Sequence, residues 1–96
     1  MDEFVKAHKV SLTIMKIDVD GSELLLLKGC REILSNSDKI KMAICTYHAA
    51  EDEETFRGIF WDYGIAVSPS KGYMIFYYDE NLSAPYLRRG LLRASK

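Results

Sequence analysis

The sequence contains no glycine-rich phosphate loop: GxGxxG, GxGxG and P-loop patterns are all absent, and Gly21 and Gly29 stand isolated. Such loops let backbone N–H groups close on a phosphate, so a self-contained nucleotide site is not expected. Cysteine is equally scarce. Cys30 and Cys45 lie inside apolar segments without CxxC spacing, accompanied only by His8 and His48. That pattern reads as buried reduced thiols rather than a disulfide or a metal pair, and no zinc site is expected. No apolar run approaches the roughly 18 residues of a membrane helix. The opening Met1-Asp2-Glu3-Phe4 is acidic where a secretory signal is basic. A cytoplasmic protein with no membrane partner is therefore the expectation.

Negative charge is missing from the end of the chain. All 14 acidic residues lie at or before Glu80, and the last sixteen residues carry only Arg88, Arg89, Arg93 and Lys96. The segment 82–96 reads as a basic tail whose expected partner is the protein's own acidic surface, not a nucleic acid. What remains, 96 residues with 48% hydrophobic and 28% charged content, describes one small domain over residues 1–96.

Within it, residues 2–8 read as a short helix with Asp2 as a candidate cap and Phe4 and Val5 as apolar contacts. Leu12 to Val19 reads as a strand, almost continuously apolar and β-branched at Ile14, Ile17 and Val19, which suits cover on both faces. Asp20 has N-cap chemistry and Glu23 stands at capping-box spacing before Leu24-Leu25-Leu26-Leu27, predicting one helix from about Gly21 or Ser22 to Leu34. Ser35-Asn36-Ser37-Asp38 ends it. Ile40 to Tyr47 is a second buried-strand candidate, and Glu51 to Tyr63 a second long helix behind an acidic first turn, closed by Gly64. Ile65 to Val67 and Tyr73 to Tyr78, joined by a short polar link, predict an antiparallel hairpin. Strand–helix alternation ending in a hairpin argues for an α/β domain with a parallel sheet. The aromatic run Phe76, Tyr77, Tyr78 reads as strand packing.

The most informative stretch is Met15-Lys16-Ile17-Asp18-Val19-Asp20-Gly21-Ser22-Glu23, where a strand stops at two carboxylates and a glycine and a helix begins. Open α/β sheets bind ligands at such corners. Together with Leu27-Lys28-Gly29 and Ile44-Cys45-Thr46-Tyr47-His48 followed by Glu51-Asp52, this stretch resembles the FkbM family of S-adenosylmethionine-dependent methyltransferases. The resemblance covers essentially the whole chain. It implies a partial Rossmann-like class I methyltransferase fold. In that fold the sheet order is 3-2-1-4-5-7-6 with strand 7 antiparallel, and these residues correspond to strands 4, 5, 6 and 7. The cofactor-binding half, with its glycine-rich loop, would lie upstream.

By the same resemblance, Asp18 and His48 are the candidate catalytic residues, Asp18 orienting an acceptor hydroxyl or taking its proton and His48 able to transfer protons near neutral pH. Asp20, Glu23 and Tyr47 are the candidate substrate-binding residues. Asp20 departs from the family's glutamate, Glu23 can equally cap the helix, and Tyr47 can equally belong to the core. The implied activity is O-methylation of a sugar or secondary-metabolite hydroxyl, with S-adenosylmethionine as cofactor of the parent enzyme and no obligatory metal. The 96 residues alone are not expected to bind the cofactor. The competing expectation is a non-catalytic interaction module with half a methyltransferase fold. Either way, the strand at 12–19 presents an open apolar edge, and self-association through it or through the adjacent Leu24 to Leu27 helix is expected.

Overall fold

A computed structural model of the chain describes residues 1–75 and 87–96. The elements are α1 (Asp2–His8), β1 (Ile14–Ile17), α2 (Glu23–Lys28), α3 (Arg31–Asn36), β2 (Lys41–Cys45), α4 (Asp52–Asp62), β3 (Ala66–Pro69), β4 (Met74–Ile75), β5 (Leu87–Arg88) and β6 (Leu91–Ser95). Four strands form one mixed sheet in the order β1-β2-β6-β3, and β4 pairs with β5 in a separate two-stranded sheet. β1 and β2 are parallel, with Ile17 opposite Ile44, as a crossover through α2 and α3 requires. β6 lies antiparallel to both β2 and β3. The protein is thus a small α/β domain. No helix among the described residues is long and apolar enough to cross a membrane.

Strand register explains which face is covered. Met15 and Ile17, Met42 and Ile44, Leu92 and Ala94, and Val67 occupy matched positions across the four strands and join one core with Leu27, Cys30, Ile33, Leu34, Phe56 and Phe60. The opposite face carries Ile14, Lys16, Lys41, Arg93 and Ser95, all exposed, with Ile14 at 73%. Cover on both faces of β1 is therefore not what forms: its burial alternates, as in a one-sided strand. Its apolar sequence is more hydrophobic than its position requires.

Three further expectations change. The segment beginning at Ile65 does not pair with Tyr73 to Tyr78. β3 pairs with β6, and β4 pairs with β5, while residues 76–86, including the Phe76-Tyr77-Tyr78 run, lie outside the described residues. The basic tail is no tail in its described part. β6 sits between β2 and β3 with Leu92 and Ala94 buried and Arg93 and Ser95 exposed, a strand periodicity that the charge pattern obscured. The self-pairing expected of it is present locally, since Arg89 Nε lies 2.9 Å from Glu53 Oε1 on α4.

The single helix from 22 to 34 is divided at Gly29-Cys30. There the Gly29 carbonyl accepts the Asp2 N–H at 2.9 Å, and the Asp2 carboxylate accepts the N–H groups of Glu32 (2.9 Å) and Ile33 (3.1 Å). Asp2 caps α3, thirty residues away, rather than its own helix, whose N-cap is Met1. A carboxylate at those free N–H groups completes the start of α3. Of the two apolar contacts expected from α1, Val5 packs on the core, whereas Phe4 is exposed and stacks on His8. At the other end of the domain Gly64, with φ +68°, closes α4 in a Schellman motif: Ile65 N–H donates to Phe60 O and Gly64 N–H to Trp61 O, both at 2.9 Å.

Candidate functional site

Because β1 and β2 are adjacent and parallel, the residues that follow them emerge side by side at one end of the sheet. Asp18 follows β1 directly, and Tyr47-His48 follow β2 after Thr46. The chain then turns sharply from β1 into α2. Asp20 (φ +51°) and Gly21 (φ +93°) are both left-handed, and Ser22 N–H donates to Val19 O at 3.1 Å. Asp tolerates this conformation and glycine suits it, which is why an aspartate-glycine pair stands at this corner.

That turn defeats the expected capping box. Ser22 is the N-cap of α2 and no side chain caps it, while the Asp20 side chain is fully exposed. Glu23 instead folds inward and is only 1% exposed. Its Oε1 accepts the Val19 N–H at 3.0 Å and lies 2.9 Å from His48 Nδ1. This Nδ1 is buried and makes no aligned hydrogen bond, so its contact with Glu23 is one of proximity and charge. On the other edge of the ring, His48 Nε2 is 3.6 Å from Asp20 Oδ1 and 3.8 Å from Asp18 Oδ1, beyond direct hydrogen-bond range. The Tyr47 hydroxyl donates to Asp18 Oδ1 at 3.2 Å, and the Tyr47 and His48 rings meet at 4.3 Å between centroids.

All five residues singled out in the sequence, Asp18, Asp20, Glu23, Tyr47 and His48, thus belong to one cluster. Among the described residues no lysine or arginine forms an ion pair with Asp18, Asp20 or Glu23, whereas Glu53 holds Arg57 and Arg89. The cluster is consequently an electronegative site whose one potentially cationic member is His48. Desolvation and the hydrogen bond to Asp18 push the Tyr47 phenol up to about 12, so it stays protonated and keeps donating to Asp18. Cys45, buried at the end of β2, has its thiol pushed up by burial and by the neighbouring Asp18 carboxylate, which makes it a poor nucleophile at neutral pH.

Several supporting residues carried no signal in the sequence. Arg88 Nη1 donates to the Tyr47 carbonyl at 2.9 Å, Thr46 N–H donates to Gly90 O at 3.1 Å, and the Thr46 hydroxyl donates to Arg89 O. The 88–90 segment therefore holds the loop that presents Tyr47 and His48. Asp52 reaches back from α4 to accept the Ala49 N–H at 2.8 Å. Burial raises its pKa and that hydrogen bond opposes the rise. Only the density of arginine at 88 and 89 could have drawn attention to this region, and it pointed to surface pairing. Compared with known proteins, the chain matches no protein-family model, no curated protein and no solved structure.

Proposed function

We propose that these residues form the acceptor side of an S-adenosylmethionine-dependent O-methyltransferase of the FkbM type, acting on a sugar or secondary-metabolite hydroxyl. The observation that carries the reading is the meeting of Asp18, Tyr47 and His48 beyond two adjacent parallel strands. The order β1-β2-β6-β3, with β6 alone reversed, supports it, being that of strands 4-5-7-6 in the class I methyltransferase sheet.

The cofactor, when bound, supplies an electrophilic methyl on a positively charged sulfur, and a site bearing Asp18, Asp20 and Glu23 without a paired lysine or arginine among the described residues suits such a charge. Asp18, its orientation fixed by the Tyr47 hydroxyl, is placed to accept the proton of an acceptor hydroxyl. His48, within 4 Å of Asp18, offers the next proton site, and Glu23 holds the imidazole from behind. Alignment of donor and acceptor supplies much of the acceleration in a transfer of this kind.

The test is methyl transfer from labelled S-adenosylmethionine by the gene product that carries these residues, against a panel of sugar and secondary-metabolite hydroxyls. Asp18→Asn should lower the rate by about 10²–10⁴-fold while leaving cofactor affinity unchanged. An Asp18→Asn protein that transfers methyl groups at the wild-type rate refutes the assignment. The 96 residues alone should show no cofactor binding by calorimetry, and micromolar binding would overturn the proposed division between the two halves.

A further inference from the structure

We infer that the corner between β1 and α2 is a divalent-cation site in which the carboxylates of Asp18 and Glu23 and a ring nitrogen of His48 are the protein ligands, with Asp20 as an outer carboxylate. This does not rest on the methyl-transfer reading.

One ligand atom from each of Asp18, Glu23 and His48 lies within 4.8 Å of the others. A cation with bonds of about 2.1 Å sets its neighbouring ligands about 3.0 Å apart and its opposite ligands about 4.2 Å apart, so the cluster needs only slight closing to hold one. The contact between His48 Nδ1 and Glu23 Oε1 is the more telling feature. At 2.9 Å it has the length of a hydrogen bond but not the alignment, and the Nδ1 is buried with no other partner. A buried imidazole nitrogen and a buried carboxylate oxygen held this close, with Asp18 within 4.8 Å of both residues' ligand atoms, are donors that one cation can share. Glu23 adds an independent argument. Its carboxylate is almost completely buried, and among the described residues its partners are His48 and the Val19 N–H. A buried carboxylate without a full counter-charge is costly, and a bound cation removes that cost.

The remaining contacts fit an outer layer. Nε2 lies 3.6 Å from Asp20 and 3.8 Å from Asp18, so both carboxylates approach that side of the ring, and the Tyr47 hydroxyl orients Asp18. Two carboxylates and one imidazole are mainly hard oxygen donors with one nitrogen, a set that suits Mn²⁺ better than a thiolate-seeking ion or an all-oxygen Ca²⁺ site.

The chain contains only two histidines, which makes the site directly readable. His8, on α1, has its Nδ1 2.9 Å from the Phe4 carbonyl and serves as an internal control. Titration of the folded chain with Mn²⁺ should broaden the ring resonances of His48 while sparing those of His8, with one ion bound per chain. Asp18→Asn and Glu23→Gln should each abolish the selective broadening, and Asp20→Asn should weaken binding by about tenfold. Asp18 is partly exposed, so Asp18→Asn keeps the test valid even if Glu23→Gln fails to fold. No broadening, equal broadening of both histidines, or unchanged binding in Asp18→Asn would overturn the inference.

Discussion

The substitution Leu92→Ala distinguishes a central strand from a basic tail. Leu92 is 0% exposed, and β6 is hydrogen-bonded on both sides, with Ile44 of β2 and Pro69 of β3 as its register partners. Truncation to alanine removes the buried side chain and leaves a cavity bounded by paired backbone that cannot collapse into it. Buried Leu→Ala changes cost about 2–5 kcal/mol, and this constraint puts the expectation in the upper part, about 3–5 kcal/mol. A chain of this length has about 5–14 kcal/mol in all, so the loss is a large share of the total and the urea midpoint should fall steeply with an unchanged slope. Its melting temperature should fall by more than about 10 °C. Leu87→Ala, on β5 where Leu87 is 47% exposed, is the control and should cost under about 1 kcal/mol. A loss below about 0.5 kcal/mol for Leu92→Ala, the value of an ordinary surface change, would refute the placement of β6.

Two further outcomes follow from the site and from the sheet edge. The Tyr47 phenol is raised from 10.0 to about 12 in the fold, so the protonated form is the one the fold favours. Its contribution to stability is complete below the unfolded value near 10 and is lost as pH rises through about 12. Phenolate absorbance of the native wild type minus that of Tyr47→Phe should therefore show one late tyrosine, and a difference centred near 10 would contradict the bond to Asp18. At the edge, β1 has one side without a strand partner among the described residues and displays Ile14. Sedimentation should show concentration-dependent association that Ile14→Lys disperses, and a wild type that stays monomeric across the concentration range would count against it.

Much of the candidate site was legible because its residues fall beside strand ends, and strand ends are marked by local chemistry. An apolar β-branched run that stops at Asp18 and another that stops at Tyr47-His48 need only be parallel neighbours to bring those side chains together, and the helical segment between them makes them so. Residue roles within the cluster were less legible. Capping-box spacing at Asp20 and Glu23 is a local pattern, whereas the buried environment that draws Glu23 toward His48 is assembled by β2, a separate part of the chain. The left-handed Asp20-Gly21 turn removes Asp20 from the helix end and turns its side chain to solvent.

The sequence by itself determined the element types from Asp2 to Gly64 to within a few residues and the α/β class. Periodicity and turn chemistry are short-range properties, and those features depend on little else. Tertiary structure alone decided the division of α2 from α3, because the cap on α3 is Asp2, thirty residues away. It also decided the partner of β3, since an edge segment cannot distinguish by local pattern between a nearby strand and one more than twenty residues later, and the later β6 is the strand that β2 needs on its open side. The placement of Arg88 and Arg89 behind the Tyr47-His48 loop follows from that same pairing. Their role rests on a backbone position that only the completed sheet supplies.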